Sequence, residues 1–230
     1  MSRDDLRTTI RYLFQIGVFV LIFSASLFLS AGQWDWGMGW TYIAIIALSQ
    51  FSVAAILISK KSDLLHERSQ MTGKRNLDRV LAGVMAVFGP ISICVVAGLN
   101  MRDGWLPNVP FAFQVLGLAL GILGSVLTVW ALAANNFFYG VMRIAKEKGH
   151  VVCQSGPYRL VRHPGYLGAA LFTLGSPLIL HSAWAFIPAL LTVFAIVLRT
   201  KTEDANLQND LAGYSDFAQQ TRFRLFPGIW

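Results

Sequence analysis

Apolar residues fall along this chain in long unbroken runs, not in the short alternations of water-facing elements. Five runs are long enough to sit in hydrocarbon: Tyr12 to Ala31, Gly39 to Ser59, Val80 to Leu99, Pro110 to Ala134 and Tyr166 to Leu198. The first four hold 20 to 25 residues each, and about 20 make one helical crossing. The fifth holds 33 residues, about 50 Å as a single helix, too long for a hydrocarbon core of about 30 Å. Gly175, Ser176 and Pro177 interrupt it, and His181-Ser182 is the polar pair near its middle, so the pattern predicts a hairpin turn there. Arms of about 15 residues reach the far interface only with local thinning, or else stay partly buried among other helices. The predicted fold is an all-α integral membrane protein with about six transmembrane helices, the last two a short helical hairpin.

Composition supports this reading. Of 230 residues 55% are hydrophobic and 13% charged, whereas a soluble domain carries about 25% charge. The net charge is +7, and the position of the basic residues explains it. Eighteen of the nineteen Lys and Arg side chains fall in the N-terminus, in the loops after the second and fourth runs, or in the tail, leaving Arg102 alone on the other side. The positive-inside rule then places both termini in the cytoplasm. The membrane would be the inner membrane of a bacterium or the endoplasmic reticulum of a eukaryote. Trp34, Trp36 and Trp105 sit on the far side, as an interfacial aromatic belt requires. No basic run adjoins a soluble domain large enough to present it to nucleic acid.

The first run is of full spanning length and lacks a good cleavage context, so it is expected to stay as a helix. Cys94 lies inside the third run and Cys153 in a basic loop, at levels that preclude pairing, and no Cys or His pair has metal-ligand spacing. The expected organisation is an N-terminal part, residues 1–109, with three spans and a loop at 60–79. A core at 110–230 follows, with a polar loop at 135–166, the hairpin at 166–198 and the tail.

Polar residues are densest beside the membrane in two places. The first runs from Asn135 to Tyr166. Asn135 and Asn136 end the fourth run, where an amide caps the helix or touches a ligand headgroup, capping being the commoner role. His150-Val151-Val152 reads as a short extended piece whose backbone N–H and C=O groups could pair with a planar ring. Gly156-Pro157 is a turn, and Pro164 fits a first helical turn without loss of a bond. His163 precedes that helix start, where the macrodipole favours neutral imidazole. A lone His is more often structural than catalytic, but Tyr158, Arg159, Arg162 and Tyr166 stand within nine positions, and both readings remain open.

The second place ends the last apolar arm, Arg199-Thr200-Lys201-Thr202-Glu203-Asp204. Arg199 and Glu203 share a helix face. One reading is a solvated helix end, in which such a pair contributes only a few tenths of a kcal/mol. The other is functional, because Arg199 emerges at the bilayer surface, where ionisable groups mark sites. Adjacent acids could accept hydrogen bonds from a diol and an amine together.

These residues carry a family resemblance. Arg162-His163-Pro164-Gly165-Tyr166-Leu167-Gly168, followed after about thirty mostly apolar residues by Arg199, Glu203, Asp204 and Leu207, resembles the isoprenylcysteine carboxyl methyltransferases and their phospholipid methyltransferase relatives. Asn136-Phe137, His150 to Val152, Gly156-Pro157-Tyr158 and Leu64 to Arg68 are also similar to that family. Asp204 departs from it, since the second acid is usually Glu.

The resemblance implies S-adenosylmethionine as methyl donor and a lipidic methyl acceptor within the lipid bilayer. It implies that His150, Val151 and Val152 edge the adenine, that Gly156, Tyr158, His163, Pro164 and Tyr166 pack the donor, and that Arg162 pairs with its carboxylate. Glu203 and Asp204 would take ribose hydroxyls or the ammonium. Asn136 and Arg199 would meet the acceptor, with Arg199 and Glu203 catalytic and no metal involved. The expected reaction is carboxyl O-methylation of the isoprenylcysteine type. The alternatives are ethanolamine N-methylation of a phospholipid and a sterol-type NADPH-dependent reductase. The reductases share an Arg-His-Pro-x-Tyr core but typically carry Asn and Glu where this chain has Gly165 and Ala169.

Overall fold

The computed structural model describes residues 3–60, 64–65, 76–105, 107, 109–140 and 144–230. Most of the expected basic loop 60–79, including His66, Glu67 and Arg68, lies outside the described residues, as does Arg143.

Two long helices, α1 (Arg3–Ala31) and α2 (Gly37–Lys60), form an antiparallel pair. A third rod follows: α3 (Asn76–Gly83), a π-helical turn (Val84–Phe88) and α4 (Gly89–Asp103). Then come α5 (Phe111–Ala134), two 3-10 turns at Lys146–Lys148 and Gly156–Arg159, α6 (Pro164–Ile179), α7 (Phe186–Asp210) and α8 (Tyr214–Gln220). No strand occurs among the described residues. Four helical stretches, Asp4–Ala31, Gly37–Lys60, Leu77–Asp103 and Phe111–Ala134, are long and apolar enough to cross a membrane. They coincide with the first four apolar runs. Their outer faces expose large apolar side chains, among them Phe14, Leu21, Leu48 and Phe111. Apolar surface on that scale requires an apolar surround.

The fifth run is a hairpin that turns at His181-Ser182, as expected, but Gly175 to Pro177 do not interrupt its first arm. Helix α6 continues through all three residues to Ile179, and the chain reverses over 180–185. Pro177 removes one ladder bond, the one its amide would make to the Thr173 carbonyl, and the helix ends two residues later at Ile179. The stop comes from Ser182. Its amide donates to the Pro177 carbonyl at 2.9 Å, and its hydroxyl accepts from the Ala185 amide at 3.3 Å. The same hydroxyl donates to Asn100 Oδ1 at 3.0 Å, tying the turn to α4. Helix α6 has 16 residues, about 24 Å at 1.5 Å per residue, so it is shorter than the four long rods.

The tightest crossing joins α5 to α6. A Cβ placed on Gly124 would come within 2.4 Å of the Gly168 carbonyl oxygen, and one on Gly168 within 2.5 Å of the Gly124 oxygen. Gly117 and Gly175 meet in the same way one contact further along. Only glycine lets two helix backbones approach this closely, the interface that lipid-embedded helices favour.

Alternation of helix direction sorts the loops between two ends. The Trp34, Trp36, Trp105 and Trp184 turns share one end. The start of α6, the polar extension of α7, the 135–163 segment and the tail all meet at the other.

Candidate active site

At that second end the residues of both polar stretches enclose a pocket of about 290 Å³, close to the about 300 Å³ lower bound of small-molecule sites. Its walls include His150, Val151, Val152, Tyr158, Arg162, His163, Tyr166, Arg199 and Glu203. Four other predicted residues stand outside the lining. Pro164 is buried as the first residue of α6, and Gly156 packs on Trp130 with φ at 57°. Asn136 is exposed. Its neighbour Asn135 lines the pocket instead, accepting from the Phe137 amide at 2.8 Å and donating to the Tyr158 hydroxyl at 3.1 Å.

Asp204 is the fourth. It is 1% exposed and accepts hydrogen bonds from Arg224 Nε and Gln208 Nε2 at 2.8 Å and from the Tyr214 hydroxyl at 2.9 Å. His163 Nε2 lies 3.2 Å away and Arg162 3.3 Å. Burial alone would push this carboxyl up, but the hydrogen bonds from His163 and Arg224 and the charge of Arg162 hold it well below the usual carboxylate range. Tyr214, buried against Asp204, has its phenol pushed up, first by burial and then by that carboxylate.

Glu203 faces the pocket. Its Oε2 accepts from the Tyr166 hydroxyl at 2.6 Å, and its Oε1 is 3.9 Å from His163 Nδ1. The His163 and Tyr166 rings stack with centroids 5.8 Å apart. One turn back on α7, Arg199 is 6% exposed, donates from Nε to Asp78 Oδ1 at 2.9 Å and from NH2 to the Gly140 carbonyl at 3.0 Å. Its guanidinium carbon stands 5.6 Å from the Tyr166 ring centre.

Arg162 shows what the pocket lacks. Its side chain is 7% exposed, with one terminal nitrogen on Asp204 and another on the Arg222 carbonyl, yet Nε has no partner among the described residues. A buried donor without a partner, on a residue that lines the pocket, calls for a further acceptor.

The tail braces the pocket wall from behind. The amides of Arg162 and His163 donate to the carbonyls of Phe223 and Arg224 at 2.9 and 3.0 Å. Leu225 is fully buried against Ala170 and Ile196. Across the opening, the His150 ring stacks on Phe137 at 4.3 Å with Tyr139 edge-on at 6.4 Å. Burial pushes the His150 imidazole below its ordinary value, favouring the neutral ring.

Sequence reasoning missed Asp78 and Tyr139, and it took Tyr214 only as the start of a tail, Tyr214 to Trp230, expected to cap the donor. Asp78 had a signal: an acid between Leu77 and Val80 at the start of an apolar span needs a partner. Nothing in the sequence marks that partner as Arg199, 121 positions away.

Fold and site together define a helical membrane protein whose helix ends enclose a pocket lined by arginine, histidine and carboxylate. Residues 111–212 match the family model described as phospholipid methyltransferase. The chain is 35% identical over 158 residues to the protein-S-isoprenylcysteine O-methyltransferase of Saccharomyces cerevisiae, covering 67% of this chain and 63% of that protein. It is 26% identical over 157 residues to protein-S-isoprenylcysteine O-methyltransferase B of Arabidopsis thaliana, 68% of this chain and 65% of the relative. A shorter segment of 66 residues is 38% identical to a probable protein-S-isoprenylcysteine O-methyltransferase of Oryza sativa subsp. indica, 28% of this chain and 35% of that protein. The family resemblance carried by the two motifs is thus borne out. The chain spans under two thirds of the length of each of these relatives.

Proposed function

We propose that the protein is a membrane methyltransferase that takes S-adenosylmethionine as donor and O-methylates the carboxylate of a lipidic acceptor of the isoprenylcysteine type. The observation that carries this reading is the presence of two buried arginines, Arg162 and Arg199, in one pocket at the end of apolar helices. The similarity to O-methyltransferases supports it. The basic loops support a cytoplasmic pocket with both termini on that side.

The open Nε of Arg162 fits the carboxylate of the donor's methionine portion. The His150 and Phe137 rings and the adjacent backbone of Val151 and Val152 suit its adenine, and Glu203 suits its hydroxyl or ammonium groups. When bound, the donor supplies an activated methyl group on a sulfonium. The chain's own residues then position and exclude water. A carboxylate acceptor is ionised at neutral pH and needs no base. Arg199 would orient it, and Tyr166 would keep Glu203 fixed through its 2.6 Å hydrogen bond. Bringing the reactants together in one geometry supplies most of the rate enhancement in such a displacement.

Membranes holding the protein should transfer a labelled methyl group to a prenylated cysteine analogue, and mild alkali should release the label as methanol. Alkali-stable label would replace this reading with N-methylation of a phospholipid, the acceptor class named in the matched family's description. Binding of NADPH in place of labelled S-adenosylmethionine would replace both with a reductase. Arg199→Ala and Glu203→Ala should each lower turnover by about 10² or more while the protein still inserts.

A further inference from the structure

The cation proposed to meet the acceptor is itself held by an acid outside both motifs. Asp78 lies on α3 and is 6% exposed, as is Arg199. Arg199 binds Asp78 through Nε at 2.9 Å and the Gly140 carbonyl through NH2 at 3.0 Å. Nε and NH2 form one edge of the planar guanidinium, so both anchors grip the same side. The five donors of an arginine lie in a fixed fork. Gripping one edge therefore sets the plane of the whole group and turns its end-on pair of N–H groups in a single direction. The Tyr166 ring at 5.6 Å limits rotation out of that plane.

The pair has a second effect. An unpartnered buried arginine would bind a carboxylate strongly and blunt its nucleophilicity, because an anion stabilised in the ground state must give up that stabilisation to react. The carboxylate of Asp78 already offsets much of the charge of Arg199.

We infer that Asp78 is a positioning residue of the methyl-transfer site, which fixes the guanidinium plane of Arg199 and moderates its hold on the acceptor carboxylate. This rests on the reaction proposed above. The π-helical turn at Val84–Phe88 and α4 carry Asp78 as part of the third rod, so the N-terminal half of the chain is a component of the site and not only its membrane anchor.

The test compares the wild-type protein with Asp78→Asn and Asp78→Ala in proteoliposomes, using labelled S-adenosylmethionine and a prenylcysteine analogue. Asp78→Asn keeps the shape and an acceptor oxygen but loses the charge. It should lower kcat about fivefold and lower the acceptor KM several-fold, with donor KM unchanged. Asp78→Ala loses both anchor and charge and should lower kcat tenfold or more, again with donor KM unchanged. A purely structural role would lower the active fraction without splitting kcat from KM. Asp78→Asn with kcat and acceptor KM within twofold of wild type overturns the inference, whether or not Asp78→Ala folds. Failure of the wild-type protein to bind donor or transfer methyl overturns the underlying reading instead, so the two failures are distinct.

Discussion

Glu203 and Asp204 are consecutive residues of α7 with the same charge, and they occupy opposite environments. Glu203 keeps a quarter of its side chain open and touches two groups, Tyr166 and His163. Asp204 is closed off and surrounded by five, from the segment just before α6, from α7 and α8, and from the tail. A helix turns about 100° per residue, so neighbours cannot share a face. Here one neighbour looks into the pocket while the other looks into the joint behind it. The two acids of one motif are thus unlike: Glu203 opens on the pocket, and Asp204 ties together residues behind its wall.

The largest effect should come from Asp204→Ala, which strands the buried Arg162 and loosens Arg224. Removing one partner of a buried pair destabilises by about 3–5 kcal/mol, and thermal unfolding in detergent should show it. Glu203→Ala should leave unfolding within about 0.5 kcal/mol of wild type, the usual range for a side chain outside such networks, and lower turnover by about 10²–10³. If the two variants changed places, with Asp204→Ala stable and inactive, this contrast would be wrong. Tyr166→Phe removes the donor to Glu203 and should cost about 1.5 kcal/mol in transition-state stabilisation, about tenfold in kcat/KM, with little change in unfolding.

The smallest effect is on acid stability. Asp204 lies beyond the apolar arm, and its folded pKa is depressed below the ordinary 3.8. Its contribution is therefore fully present above that value and lost as pH falls through 3.8 toward the folded value. Wild type should lose more stability than Asp204→Asn between about pH 4.5 and 3. Parallel loss in both would remove Asp204 from the acid response.

Apart from the start of α1, which lies nine residues before Tyr12, the four long spans were legible in the sequence to within four residues, because each is set by one local variable, the length of an apolar run. The α6 to α7 turn was legible from His181-Ser182, whereas Gly175-Ser176-Pro177, a strong breaker signal locally, stays helical. The closing contact that ends the hairpin, Ser182 to Asn100, links residues 82 apart. Both polar stretches were also legible, and the pocket brings most of their flagged residues together. What escaped was side-chain direction. Whether Asn135 or Asn136 faces inward depends on how α5 unwinds, and the role of Asp204 depends on Tyr214 and Arg224, which reach it only after the tail has folded back.

The pairing of Arg162 and His163 with Phe223 and Arg224 has a consequence for biogenesis. The helices can insert in order as they are made, but the backbone at the start of α6 must wait for partners translated some sixty positions later. At about 5–20 residues per second that interval is several seconds. During it the start of α6 lacks its brace, so the nascent protein would be integrated before it is competent, and its competence would arrive only when residues 222–224 fold back onto that helix start.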